Sequence, residues 1–339
     1  MSSGFHAHQY LPGLRAFLPY PEDPLRLSAK LQEQVAKAPF VEGSTYKKCL
    51  VTLDDSEGIF IWKYCEADKS SKWRIKRISV IEQKENITIF KKSFVSLEKA
   101  AEEFPRRPIT DSRRVENLTK WRGMTDSYRV KVKKRLLNKV RVVPVIHGSS
   151  AEKCHSICGE IGFTHFGKHN ELRGIPGSST DAGYIGSGCY FTTSVEYAVK
   201  YAKRHLIFAF VAVTEPYIAL KEDMETLRGG ERFDHHDAHY ALVGDAGDPS
   251  GKIFYPSDTA TYDELVVFGD RTQALARFSV EIEEERLFSV ANHPKLGDEL
   301  LQILLEHPSQ PIREDDPALE QLKQLVDHME GSARCDVTR

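Results

Sequence analysis

Three short segments of this chain carry residue types suited to one kind of chemistry. The first is Val145-Ile146-His147-Gly148-Ser149. The second is Gly186-Ser187-Gly188-Cys189-Tyr190-Phe191, with Tyr201 beyond it, and the third is Tyr262-Asp263-Glu264-Leu265-Val266-Val267-Phe268. An imidazole can hydrogen-bond the hydroxyls of a ligand, and a glycine, having no Cβ, lets backbone groups approach a ligand closely. A tyrosine can lie against a flat heterocycle at little entropic cost, because it has few rotamers to lose. A carboxylate can hold a hydroxyl, stabilise positive charge as it develops and polarise an incoming nucleophile. Each segment is short, apolar and strand-like, so three strands brought together would build one cleft. Taken singly, each has a commoner explanation: a satisfied core histidine, two core tyrosines, a glutamate at the solvated start of a strand. Asp263 is an alternative to Glu264, but alternation along a strand points the two side chains to opposite faces.

In order and local sequence these segments resemble the catalytic domain of the poly(ADP-ribose) polymerase family, of the His-Tyr-Glu type, over residues 142–282. The resemblance implies an α+β fold with an ADP-ribosyltransferase-like split β-sheet, and NAD⁺ as substrate with no metal. It implies Glu264, His147 and Tyr190 as catalytic residues. His147, Gly148, Ser149, Tyr190, Tyr201 and Ser194 are implied to bind NAD⁺. One departure stands out. Where the family often carries a serine for the nicotinamide carboxamide, three residues before the second tyrosine, this chain has Ala198, leaving Ser194, Thr192 or Thr193 as substitutes.

The activity so implied is release of nicotinamide and transfer of ADP-ribose to a protein acceptor, the chain itself included, with elongation to poly(ADP-ribose) permitted by a glutamate at position 264. Alternatives are a mono-ADP-ribosyltransferase acting on protein or nucleic acid, and a catalytically weak NAD⁺- or ADP-ribose-binding module. An arginine-directed transferase would want a Glu or Gln two residues before the catalytic Glu, and Tyr262 stands there.

The elements that must position these residues read as follows. Residues 1–40 are a proline-punctuated N-terminal arm with one helix over Pro24–Lys37. Residues 41–122 read as a small β-rich module, with strands at Lys48–Leu53, Gly58–Tyr64, Lys72–Val80 and Asn86–Phe90 and a helix over Ser96–Phe104. Its order, with Trp73 and Trp121, weakly resembles the WGR module of some of these polymerases, although the Trp-Gly-Arg triplet is absent. Residues 123–141 read as a basic helical connector. Within 142–282, short helices follow His147 and Phe191, and Leu206–Thr214, Glu264–Phe268 and Arg277–Ile282 are strands, while 164–188 and 221–260 read as loops. Residues 283–339 form an acidic helical tail with helices over Lys295–His307 and Pro317–Glu330.

Composition bounds the rest. With 339 residues, 40% hydrophobic and 28% charged, the chain suits a folded protein with a full core. Its formal charge of −2 conceals a division: 106–141 holds thirteen Lys/Arg against three Asp/Glu, whereas 281–339 holds fourteen Asp/Glu against six Lys/Arg. The basic run over 106–141 is thus a candidate patch for nucleic-acid phosphates. Six cysteines without C-x-x-C pairs argue against a structural zinc or a disulfide framework. They suggest an intracellular protein, cytoplasmic or nuclear, with a secreted bacterial effector as the alternative. No stretch approaches the roughly 20 apolar residues of a membrane span. The cluster Asp234-His235-His236-Asp237-Ala238-His239 could be read as a zinc site, but a loop touching NAD⁺ or the acceptor is the preferred reading.

Overall fold

The computed structural model describes residues 25–67, 73–104, 106–132, 135–159, 162–163, 183–244 and 262–284. Ten strands and eight α-helices are found among them. In chain order these are α1 (Ala29–Lys37), β1 (Lys47–Val51), α2 (Ser56–Ala67), β2 (Trp73–Glu82), α3 (Lys84–Glu103) and α4 (Ser112–Thr125). There follow β3 (Arg129–Val132), β4 (Arg135–Ser149), α5 (Ala151–Cys158), β5 (Cys189–Phe191), α6 (Val195–Val199) and β6 (His205–Val213). The last are β7 (Tyr217–Ile218), α7 (Met224–Leu227), β8 (Ala238–Val243), β9 (Tyr262–Val267), α8 (Asp270–Gln273) and β10 (Ala274–Glu284). The fold is α+β. One sheet has six strands in the order β1-β2-β10-β6-β4-β3, and a second has four in the order β5-β9-β8-β7.

β6 explains how the layers stack. Its sequence, HLIFAFVAV, is apolar without alternation, as befits a strand covered on both faces. Phe208, Phe210 and Ala212 face a core with Leu31 of α1, Phe60 and Tyr64 of α2, and Phe90 and Phe94 of α3. Ile207, Ala209, Val211 and Val213 face a second core with Trp121 of α4, Cys154 and Cys158 of α5, Tyr240 of β8 and Leu265 and Val267 of β9. The second sheet covers one face of the first by way of this shared core. Its other face carries a third cluster that includes Tyr262, Val266, Ala241 and Tyr197. Burial pushes the Cys154 thiol up to about 11 and the Cys158 thiol higher still, so both pack as small apolar residues.

Several sequence expectations change. Residues 41–122 are not a separate β-rich module: β2 pairs with β10, Phe278 opposite Val80, inside the same sheet as β4 and β6. Gly58–Tyr64, expected as a strand, lies in α2. Its aromatic and β-branched residues serve a helical face, with Phe60, Ile61, Tyr64 and Cys65 buried and Ile59 and Trp62 exposed. Asn86–Phe90 likewise belongs to α3, whose buried Asn86, Phe90, Phe94 and Glu98 recur every fourth residue. Its N-terminus is capped by the Gln83 side chain, which accepts from the amides of Glu85 and Asn86, so the helix starts well before the expected Ser96. The basic connector is not a helix. The alternating Arg129-Val130-Lys131-Val132 is strand β3, antiparallel to β4 with Val132 opposite Arg135. Within the expected 221–260 loop, β8 is a fully buried strand. The start of the N-terminal arm, most of 164–188 and the helical tail lie outside the described residues.

Candidate functional site

His147 and Gly148 stand near the end of β4, where the partner strand β3 has ended. There Ile146 forms a two-hydrogen-bond bridge with Thr192, at 2.8 and 3.0 Å, which joins the first sheet to the end of β5 in the second. This bridge sets His147 beside Tyr190: its Nδ1 lies 2.9 Å from the Tyr190 carbonyl oxygen. A carbonyl only accepts, so Nδ1 carries the proton and Nε2 is left with a lone pair. The ring packs edge-on against Phe163 and at a tilt to Phe191. Burial there lowers the His147 pKa and outweighs the opposing Tyr190 hydrogen bond, so the ring is a neutral acceptor.

Gly148 is required by packing. A Cβ here would lie 2.2 Å from the Ala198 carbonyl oxygen and 3.0 Å from the Ala202 amide, because α6 rests on this strand. Gly148→Ala is therefore expected to cost about 3 kcal/mol of stability as the helix is pushed off the strand; a urea midpoint unchanged from wild type would refute this contact. Ser149 departs from expectation. It is 3% exposed and lies against the Cys154 thiol, within the core that α5 covers. Two residues apart on β4, His147 and Ser149 share a strand face, and what separates their roles is the Cys154 thiol of α5 packed against Ser149.

Tyr190 on β5 pairs opposite Val266 of β9. Its hydroxyl donates to the Gly186 carbonyl at 2.9 Å and accepts from the Ile185 amide at 3.0 Å, which fixes the half-buried ring. The glycines before it are structural necessities. Gly186 has φ +119°, and a Cβ there would meet Phe268 at 2.8 Å; a Cβ on Gly188 would lie 2.4 Å from the Val267 carbonyl oxygen.

On β9, Asp263 and Glu264 do face opposite ways. Asp263 is fully buried and accepts from the Thr192 hydroxyl at 2.8 Å, the Thr193 amide at 2.8 Å, the Thr193 hydroxyl at 2.7 Å and the Tyr240 hydroxyl at 3.2 Å. Glu264, 4% exposed, accepts at Oε1 from the Tyr197 hydroxyl at 2.8 Å. Tyr201 is 53% exposed and its hydroxyl lies 3.0 Å from that of Tyr197. None of the three substitutes for the serine missing at Ala198 is turned to a ligand. Thr192 and Thr193 are bound to Asp263, and the buried Ser194 hydroxyl caps α6 by accepting from the Tyr197 amide at 3.1 Å.

The N-terminal segment supports the site directly. The Tyr64 hydroxyl of α2 donates to the Thr193 carbonyl at 2.8 Å, and the Trp73 indole of β2 donates to Glu196 of α6 at 3.3 Å. His147, Gly148, Tyr190, Tyr201 and Glu264 are thus drawn around β5 and α6 by a short set of contacts. Ser149 is buried against Cys154 and Ser194 is a cap. Sequence reasoning missed Tyr197. Its signal was the i, i+4 spacing of Tyr197 and Tyr201, which brings the two together where α6 runs into the turn that follows it.

The histidine cluster fastens loops. His239 donates from Nδ1 to the Ile185 carbonyl at 2.7 Å and accepts at Nε2 from the Phe233 amide at 2.9 Å, so neither ring nitrogen is left for a metal. His236 is tied to the Glu215 carbonyl at 2.9 Å, and His235 stacks on Phe104. Among the described residues no group of three or more His, Cys, Asp or Glu is placed to hold a metal ion. Burial holds both His236 and His239 down at about 4. A histidine with a depressed folded pKa contributes stability above its unfolded value of 6.5 and loses it as pH falls toward 4. The urea midpoint should therefore fall between about pH 6.5 and 5, above the carboxylate range, and His239→Gln should flatten that slope. A flat wild-type profile over this window would exclude the assignment.

The basic stretch 106–141 uses much of its charge internally. Arg114 pairs with Asp223, Arg113 with Glu222, Arg122 with Glu215 and Arg106 with Asp237, clamping α4 and its approach to the segments around β7 and β8. No helix among the described residues is long and apolar enough to cross a membrane. No protein-family model matches this sequence, and no curated protein matches it significantly.

Proposed function

We propose that this site binds NAD⁺, splits the bond between nicotinamide and ribose, and transfers ADP-ribose to a protein acceptor. The observation that carries the reading is convergence. Segments far apart in the chain, each suited to one part of that chemistry, are joined by the Ile146–Thr192 bridge, the His147–Tyr190 contact and the Tyr197–Glu264 hydrogen bond.

Breaking the C1′–N bond sends its electron pair to nicotinamide, which leaves neutral, and positive charge develops on the ribose. Glu264 supplies the negative charge that stabilises it, in a buried site where a charge acts more strongly than in water. The neutral His147, with its lone pair on Nε2, accepts a hydrogen bond from a ribose hydroxyl. Tyr190 offers an aromatic wall whose orientation its hydroxyl partners fix. The acceptor oxygen then bonds to C1′ and gives up its proton, which Glu264 helps to withdraw.

One observation favours a second reading. With alanine at 198 and the neighbouring hydroxyls engaged within the protein, the nicotinamide carboxamide lacks the serine partner that the resemblance implies. A weak NAD⁺- or ADP-ribose-binding module fits that loss. Incubation of the purified chain with NAD⁺ labelled in its adenylate phosphate, resolved on a gel, decides. A high smear means elongation, and a discrete band removed by protease means mono-transfer to protein. No incorporation, with or without nucleic acid, favours the binding module.

A further inference from the structure

Tyr262 and Glu264 are two residues apart on β9, so their side chains share a face. Tyr197 lies over both. Its ring stacks on Tyr262, with centroids 5.0 Å apart and planes inclined by 23°, while its hydroxyl reaches Glu264 Oε1 at 2.8 Å. Tyr201, one helical turn on, sets its hydroxyl 3.0 Å from that of Tyr197 and its ring edge-on at 5.3 Å. The Lys200 ammonium stands 4.5 Å from the Tyr262 centroid and 6.0 Å from that of Tyr197, steadying the stack from the side. Two hydroxyls therefore run in series from a half-exposed side chain to a buried carboxylate.

Chemistry sets the direction of the chain. An ionised carboxylate can only accept, so Tyr197 donates to it, and the Tyr197 oxygen then accepts from Tyr201. Burial, reinforced by the negative charge of Glu264, pushes the Tyr197 pKa far up and keeps its proton in place. Hydrogen bonds in series polarise one another, so the outer hydroxyl strengthens the inner bond.

We propose that Tyr197 is a positioning residue that fixes the carboxylate of Glu264 for the reaction, and that Tyr201 holds Tyr197 in the donating orientation. The proposal rests on the reading of Glu264 as the carboxylate that faces the reacting ribose. Position 197 then serves the chemical step and not the grip on NAD⁺. Its loss lowers kcat and spares KM.

The test uses the full chain labelled with carbon-13 at glutamate carboxyls, at about pH 8 where carboxylates are ionised. The Glu264 resonance is identified by its loss in Glu264→Gln. In Tyr197→Phe, which keeps the stacked ring, the Glu264 signal should be the most displaced of all the glutamates. In Tyr201→Phe it should move less and in the same direction, and the double variant should move no further than Tyr197→Phe alone. Since Tyr201 is half exposed, that variant tests the chain even where the buried substitution disturbs folding. Nicotinamide release measured beside it should fall about tenfold in kcat for Tyr197→Phe, with KM within about twofold. An unmoved Glu264 resonance in both variants, or a Tyr197→Phe loss carried wholly by KM, overturns the proposal. The two readouts separate two failures. A displaced resonance with no turnover by wild type sinks the NAD⁺ reading and keeps the positioning, whereas turnover with an unmoved resonance does the reverse.

Discussion

Glu264→Gln is expected to fold as the wild type does and to lose about 10²–10³-fold in kcat for nicotinamide release. Glutamine has the same shape and keeps an oxygen that can accept from Tyr197, so the buried hydrogen bond survives. What disappears is the negative charge. At 4% exposure solvent does little to replace that charge, so the positive charge expected to develop on the ribose would go largely uncompensated. Melting temperature and release rate, measured on one preparation, separate the two effects. A variant that is both folded and active at the wild-type rate would remove Glu264 from the chemistry.

The neighbouring carboxylate should behave in the opposite manner. Asp263→Ala is expected to destabilise the protein by on the order of 4 kcal/mol, because it strands four donors around a fully buried position. Two of those donors belong to Thr193 and one to Thr192, so Asp263 fixes the turn from β5 into α6. That turn sets the Ser194 cap and, through it, the helix that carries Tyr197 and leads into Tyr201. Tyr240→Phe removes one donor and keeps the carboxylate, and should cost only about 1 kcal/mol. Urea unfolding of both variants checks the ranking. Equal losses would mean that Asp263 carries no more than one contact. Strand alternation thus sends two adjacent acids to different cores, Asp263 as a structural clasp and Glu264 to the position proposed for the reacting ribose.

The same alternation made part of the site legible in the sequence. His147, Tyr190 and Glu264 each sit on a strand, as expected, and the opposed faces of Asp263 and Glu264 follow from strand geometry alone. The place of Ser149 does not follow from it: two residues beyond His147 it shares that strand face, and only the Cys154 thiol of α5, remote from any pattern within β4, takes it up. The N-terminal region was harder to read. α2 is rich in aromatic and β-branched residues because it packs on a sheet from one side, and that composition imitates a strand. Its buried Phe60, Ile61, Tyr64 and Cys65 give the helical spacing away only once the covering sheet is known. β8 was hidden by the polar residues just before it and by His239 within it, whose ring is satisfied by the backbone on both sides. The pairing of β2 with β10 joins segments at opposite ends of the described chain, which no local pattern records. For the same reason the sequence could not reveal Tyr64 of α2 beneath Thr193, or Tyr197 over Glu264.

The bearing of the basic stretch changes as well. Arg106, Arg113, Arg114 and Arg122 hold α4 and its approach to acidic residues on the segments around β7 and β8. Charge held in ion pairs is charge partly withdrawn from phosphate contacts, so these four arginines, though not the stretch as a whole, are less suited to nucleic acid than their number implied.

The most direct measurement of the central claim is nicotinamide release from NAD⁺ by the purified chain, with wild type beside Glu264→Gln. The account predicts steady release by the wild type and near-complete loss in the variant. NAD⁺ left intact by the wild-type chain, with and without added nucleic acid and a candidate acceptor protein, would contradict it.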